Sequence, residues 1–115
     1  MKTKIILALC CFVFSIASAF AQDKTTETIK VYGNCEMCKE KIEGALKKQD
    51  GVISKRWDQA TLMLTVTFDP VKITINQIGE KIAAVGYDNQ YATATDASYN
   101  QLHPCCKYVR PEKEE

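Results

Sequence analysis

The sequence is poor in the residues that mark whole classes of protein. Five glycines and three prolines in 115 residues are too few for a collagen-like or low-complexity chain. Fifteen Lys and Arg against fourteen Asp and Glu leave a net charge of +1. That excludes a nucleic-acid binder working through bulk positive charge. The single histidine, His103, lies near the C-terminus. No nucleophile–base pair and no acid pair with readable spacing accompanies it, which points away from an enzyme.

Long apolar runs are scarce as well. Lys2 and Lys4 precede an apolar stretch over residues 5–14, and Ala19, Phe20 and Ala21 form a small-x-small site. This predicts an export signal cleaved after Ala21. Ser15 and Ser18 break the stretch, leaving it short of the ~20 residues that span a bilayer; a signal anchor is the alternative. Cys10 and Cys11 lack the small preceding residue of a lipid-acceptor cysteine. The expected mature chain, residues 22–115, is one domain. It is periplasmic where there are two membranes and secreted otherwise, and is not embedded in a membrane.

What the mature chain does have is cysteine: Cys35, Cys38, Cys105 and Cys106. In an exported chain four cysteines suggest disulfides, with three pairings open. Yet Cys35 and Cys38 have a metal or redox spacing. Cys105 and Cys106 are adjacent, and bridging them strains the peptide, because disulfides want Cα atoms ~4.4–6.8 Å apart.

Around the cysteines the pattern alternates strand and helix. Residues 22–27 read as a short lead, and residues 28–32 alternate polar and apolar as a strand. In residues 36–48, Cys38, Ile42, Ala45 and Leu46 make one stripe of a helix, with Glu43 and Lys47 at i, i+4. Asp50 and Gly51 end it. Residues 52–57 are a weaker strand, and residues 61–68 a clear one, with Leu62, Leu64, Val66 and Phe68 on one face. Thr74 and Gln77 make a capping box for a helix carrying Ile75, Ile78, Ile82 and Val85, closed by Gly86. Residues 87–94 read as a last strand, and residues 95–115 as a polar tail without period. The order βαββαβ predicts an α+β, ferredoxin-like sandwich, two helices on one face of a four-stranded antiparallel sheet.

Metals bind thiolate, and Cys35 and Cys38 fall at the start of a helix, where free N–H groups and the dipole favour that form. Two thiolates select soft ions: Cu(I) first, with Zn(II) and Hg(II) also suited. Two ligands are too few for a closed structural zinc site, so the site is open and suited to passing an ion on. The alternatives for the pair are a short disulfide and a thiol–disulfide redox module. Against the latter stand the element order and the lack of a cis-proline candidate other than Pro70. In the tail, Cys105, Cys106 and His103 are candidate extra ligands for a storage or buffering site. The alternatives there are a disulfide or an unstructured end. Trp57, Met63 and Phe68 read as packing residues.

Gly33, Asn34, Cys35, Cys38, the amphipathic run over residues 39–46, Asp50 to Val52, Val66 to Pro70 and Val85 to Asp88 together resemble the heavy-metal-associated (HMA) domain family. The family includes small copper chaperones, N-terminal domains of metal-pumping ATPases and the periplasmic mercury-binding protein. The resemblance spans residues 28–94. It implies a metal carrier rather than an enzyme. Its partners would be a metal-transporting membrane protein or another metal carrier, and a dimer bridged by a shared ion is compatible with the open loop. It also places Tyr87 facing the metal. The family's loop is Gly-Met-x-Cys-x-x-Cys; here only Asn34 separates Gly33 from Cys35, so the loop is one residue shorter and lacks that Met. Lys39, Lys41, Lys47 and Lys48 would then be a docking face for an acidic partner, although Glu36, Glu40 and Glu43 interleave with them and favour a solvated face.

Overall fold

The computed structural model describes residues 23–111; the expected signal segment, residues 1–21, lies outside them. Three strands, β1 (Thr25–Lys30), β2 (Val52–Trp57) and β3 (Met63–Phe68), form an antiparallel sheet in the order β1-β3-β2. Ile29 and Val31 from the β1 side, Val52 and Trp57 from β2, and Leu64, Val66 and Phe68 from β3 are buried on one face. On the other face Thr26 meets Thr67 at 2.8 Å and Thr28 meets Thr65 at 3.4 Å, a cross-strand hydroxyl ladder. The register between β2 and β3 shifts between Val52 and Ser54.

Two helices supply the rest of the core. Helix α1 (Glu36–Gly44) buries Cys38 and Ile42, and Leu46 follows beyond its end. It is shorter than the apolar stripe suggested, and Lys47 sits in extended backbone. The Glu43–Lys47 pair is therefore replaced by Lys39–Glu43 at 3.5 Å. Helix α2 (Ile75–Ala84) begins as expected, with both bonds of the Thr74–Gln77 capping box formed. It buries Ile78, Gly79, Ile82 and Ala83, and Gly86, at φ 106°, turns the chain out. Val85, expected in the core, caps the helix and is exposed.

The fourth strand is not formed. Residues 88–94 meet the end of β1 and the residues just after it through one isolated bridge, Val31 to Asn89, and the bonds from Gln90 N–H to the Lys30 carbonyl and from Tyr32 N–H to the Asp88 carbonyl, both at 3.0 Å; a second bridge, Asn89 to Ala92, closes the segment on itself. Side chains have taken over the backbone donors there. Asn89 Oδ1 accepts from the N–H groups of Tyr91 and Ala92, both at 3.1 Å, and Asp88 Oδ1 from that of Ala94 at 2.8 Å. Asx side chains that bond their own neighbourhood wind the chain into turns instead of a ladder. The result is a small α+β fold with a three-stranded sheet.

The tail, read as polar and without period, carries short elements of its own. A short helix α3 (Asp96–Asn100), capped by Thr95, leads to a 3₁₀ turn over Pro104–Cys106 that lies against α1. Leu102, Cys106 and Tyr108 join the core. Likewise β1 starts at Thr25, inside the expected lead. Among the described residues no helix is long and apolar enough to cross a membrane.

Two glycines on the helices test the packing. A Cβ on Gly44 meets nothing within 4 Å, whereas one on Gly79 comes to 2.7 Å from Asn89 Oδ1 and Tyr91 Cβ. Gly44→Ala is expected to stabilise by about 0.5–1 kcal/mol. Gly79→Ala is expected to cost about 1–3 kcal/mol through overpacking, despite the same gain in helix propensity. Urea midpoints of the two variants should move in opposite directions.

Candidate metal centre

The site is assembled where β1 runs into α1. Gly33 is buried, and a Cβ there would sit 3.0 Å from the ring of Trp57 and 3.3 Å from Cys38 Cβ. Glycine thus lets the indole close beneath the loop. Trp57 Nε1 donates to the Val31 carbonyl at 3.0 Å, and its backbone is held to α1 by Lys39 Nζ and Glu43 Oε2, both at 3.1 Å. Trp57 is therefore core packing, as expected, and also the floor of the cysteine loop. Lys39 is committed to this clasp instead of standing free for docking.

Cys35 is the N-cap of α1; its sulfur makes no full capping hydrogen bond, although the Met37 and Cys38 N–H groups still act on it. Its sulfur lies 3.3 Å from that of Cys38 and is half-buried, whereas Cys38 is fully buried. Burial by itself pushes the Cys35 thiol up. The N–H groups of Cys38 and Met37 and the thiols of Cys38 and Cys106 outweigh it and hold Cys35 below the ordinary thiol range, as a helix N-terminus does. The Cys38 thiol donates to Asn34 Oδ1 at 3.2 Å. An amide can offer either a carbonyl or an NH₂ group, so Asn34 can serve the thiol and the thiolate alike. The sequence singled out Asn34 only as the mark of a shortened loop. Its place directly before the first cysteine is the signal that could have been read.

The tail comes to the same place. Cys106 Sγ is 3.5 Å from Cys35 Sγ, and Cys105 Sγ is 3.8 Å from Cys106 Sγ. The sulfurs of Cys35, Cys105 and Cys106 all lie within 4.8 Å of one another. Cys106 is buried and Cys105 exposed, and all four cysteines of the described chain are free thiols. Burial, reinforced by the Cys35, Cys38 and Cys105 thiols, pushes Cys106 up to about 12. His103 stays at the rim, its Nδ1 3.3 Å from Cys105 Sγ, and Met37 Sδ approaches the same sulfur at 3.9 Å. Met63 stays in β3, away from this cluster.

Tyr87 is fully buried, and its hydroxyl has no hydrogen-bond partner among the described residues. Burial, then the neighbouring sulfurs of Cys38 and Cys106, make it harder to ionise. An unpaired hydroxyl beside sulfurs is an available donor for a cluster that gains negative charge. Its ring stacks on Tyr108, with centroids 5.7 Å apart.

A set of residues that the sequence did not flag locks the tail in place. Arg110 grips the Asp88 carboxylate with two bonds, of 2.8 and 3.0 Å, and reaches Asp96 at 2.7 Å and the Ala94 carbonyl at 2.6 Å. Tyr108 OH accepts from the Asp88 N–H at 2.7 Å and donates to the Gly86 carbonyl at 2.9 Å. Tyr99 OH donates to the Tyr108 carbonyl at 2.6 Å, and its ring lies beneath the Arg110 guanidinium. These contacts fix residues 103–106 over the start of α1.

A helix-start sulfur pair on an α+β frame narrows the comparison with known proteins. The model of the heavy-metal-associated domain matches residues 29–88. The chain is 34% identical over 87 residues to a mercuric transport protein periplasmic component of Shewanella putrefaciens, covering 76% of this chain and 93% of that one. It is 39% identical over 64 residues to the copper chaperone CopZ of Staphylococcus saprophyticus, covering 55% and 94%. A zinc-transporting ATPase of Synechocystis is 44% identical over 63 residues, 54% of this chain but only 9% of the transporter. Among solved structures, a CopZ metallochaperone superposes with a TM-score of 0.54 at 32% identity, covering 56% of this chain and 98% of that one. The order of strands and helices, the cysteine loop at the start of α1 and these matches converge: the chain belongs to the heavy-metal-associated domain family.

Proposed function

We propose that this protein is an exported, non-enzymatic carrier that takes up a soft metal ion, Cu(I) first, on Cys35 and Cys38 and hands it to a metal-transporting membrane protein or another carrier. The observation that carries the reading is the pair of sulfurs 3.3 Å apart at the start of α1, one of them held below the ordinary thiol range. Thiolates prefer soft ions, which favours Cu(I) and leaves Zn(II) and Hg(II) as competitors. Relatives named for copper, mercury and zinc support the class of ion rather than one member of it. Residues 1–21 would direct the chain out of the cytoplasm, so the exported form begins at Gln22.

Native mass spectrometry of the reduced chain beginning at Gln22, offered Cu(I), Zn(II) and Hg(II) in competition, tests this reading. One ion per chain, with Cu(I) preferred at equal concentrations, is expected. Absence of any retained ion, with Cys35 and Cys38 recovered as a disulfide and turnover of a dithiol donor, would favour the redox alternative.

A further inference from the structure

We infer that Cys106, delivered by the tail, is the third thiolate of the metal site, and that Cys105 closes it for ions that take four ligands. The inference rests on the reading of Cys35 and Cys38 as ligands and adds to it. An ion with metal–sulfur bonds of about 2.3 Å spans sulfurs about 3.8 Å apart in a tetrahedron and about 4.6 Å apart when two sulfurs face each other across it. Cys35 lies 3.3 Å from Cys38 and 3.5 Å from Cys106, and the sulfurs of Cys35, Cys105 and Cys106 all lie within 4.8 Å of one another, the range that ligands of one ion occupy; binding needs only small shifts of the thiols. The two shorter separations fall well short of a linear two-sulfur arrangement.

Burial says the same. Cys38 and Cys106 are both fully buried and both on the core side of Cys35, so an ion seated between them is shielded from water. Cys105 is exposed and has a sulfur and an imidazole at hand, Met37 Sδ at 3.9 Å and His103 Nδ1 at 3.3 Å. It is the group through which an ion can arrive or leave. The tail's position is set by Arg110 and Tyr108 rather than by the cysteines, so Cys106 waits beside Cys35 before any ion binds. The ligand class is a single soft ion that accepts three or four thiolates, and this chain supplies them without a second copy.

X-ray absorption of the reduced chain beginning at Gln22, which lacks the further thiols Cys10 and Cys11, loaded with one equivalent of Cu(I) or of Zn(II), counts the sulfurs directly. Three are expected around Cu(I), falling to two in Cys106→Ala, and four around Zn(II), falling to three in Cys105→Ser. Zn(II) affinity in Cys106→Ala should drop by about 100-fold or more, since even outer-shell partners of ligands are worth 10–100-fold. Two sulfurs around Cu(I) in the unaltered protein, unchanged in Cys106→Ala, overturn the inference while leaving the two-cysteine site intact. A count of three or four accompanied by two chains per ion, read from the mass of the loaded species, also overturns it. Failure of the unaltered protein to retain either ion overturns the two-cysteine reading itself. The count in the unaltered protein decides the matter even if a variant misfolds.

Discussion

Cys35→Ser is expected to strip the protein of its metal while making the metal-free chain more stable. Cys35 is the sulfur that the others share, lying 3.3 Å from Cys38 and 3.5 Å from Cys106. Its loss should lower the affinity for Cu(I) by more than about 100-fold, beyond the 10–100-fold seen for groups that only support ligands. Serine is nearly the same size but a far weaker soft-metal ligand. It is also among the best N-cap residues, and Cys35 occupies the N-cap of α1 without a full side-chain capping hydrogen bond. A serine hydroxyl there can accept a first-turn N–H, a gain of about 0.5–1 kcal/mol. Thermal melts should therefore show a metal-free midpoint raised by about 2–8 °C and no further rise on adding Cu(I). A metal-dependent rise that survives the substitution would remove Cys35 from the site. The equivalent change at Cys38 is less clean, because Cys38 is fully buried and its thiol is bonded to Asn34.

Arg110→Ala should release the tail. The Asp88 side chain is only 4% exposed and the Arg110 side chain 19%, so removing the guanidinium strands a nearly buried carboxylate. Breaking a buried pair costs about 3–5 kcal/mol; with Arg110 partly in water, about 2–3 kcal/mol is expected here. That cost falls on the docking of residues 95–110. Tryptic cleavage after the exposed Lys107 should quicken by about 30- to 150-fold when opening is fast relative to cleavage. The same pair sets a pH dependence. Burial pushes the Asp88 carboxyl up, but Arg110 and the Ala94 N–H more than offset this and hold it below the ordinary range. The folded-state value is thus depressed, and the stabilisation is complete above the unfolded value of about 3.9 and lost as pH falls through the folded one. Protection of the Ala94 amide against hydrogen exchange, after correction for intrinsic rates, should be flat between pH 5 and 7 and fall below about pH 4. Protection that stays constant to pH 2 would rule the carboxylate out as the source.

What the sequence revealed and what it hid divide along the range of the interactions. The Thr74–Gln77 cap, the strand Val52–Trp57 and the stripe of α2 are written in residues a few positions apart, and local pattern suffices for them. The last strand was not readable as absent, because Asp88 and Asn89 fit the alternation while their side chains rewire the backbone around them. The tail has no period because α3 is five residues long, too short to hold without tertiary contacts. Its order comes from Arg110 and Tyr108 reaching back to Asp88 and Gly86. For the site, the spacing of Cys35 and Cys38 is enough to bring two thiols together at a helix start, and they lie 3.3 Å apart. Nothing in the spacing could place Cys106 3.5 Å from a sulfur 71 positions earlier.

The sheet has two borders, and their make-up bears on how the molecule behaves in a crowd. β2 has no strand beyond it among the described residues, and β1 is met on its outer side only around Val31 and Lys30. Unpaired borders invite strands of other molecules. Here both border strands are six residues long. The β2 border carries Lys55 and Arg56 and a register shift at its first residues, and the β1 border carries Glu27 and Lys30. Charge, shortness and an irregular register are the ordinary guards against edge-to-edge growth. A chain guarded in this way can accumulate without polymerising through its strands.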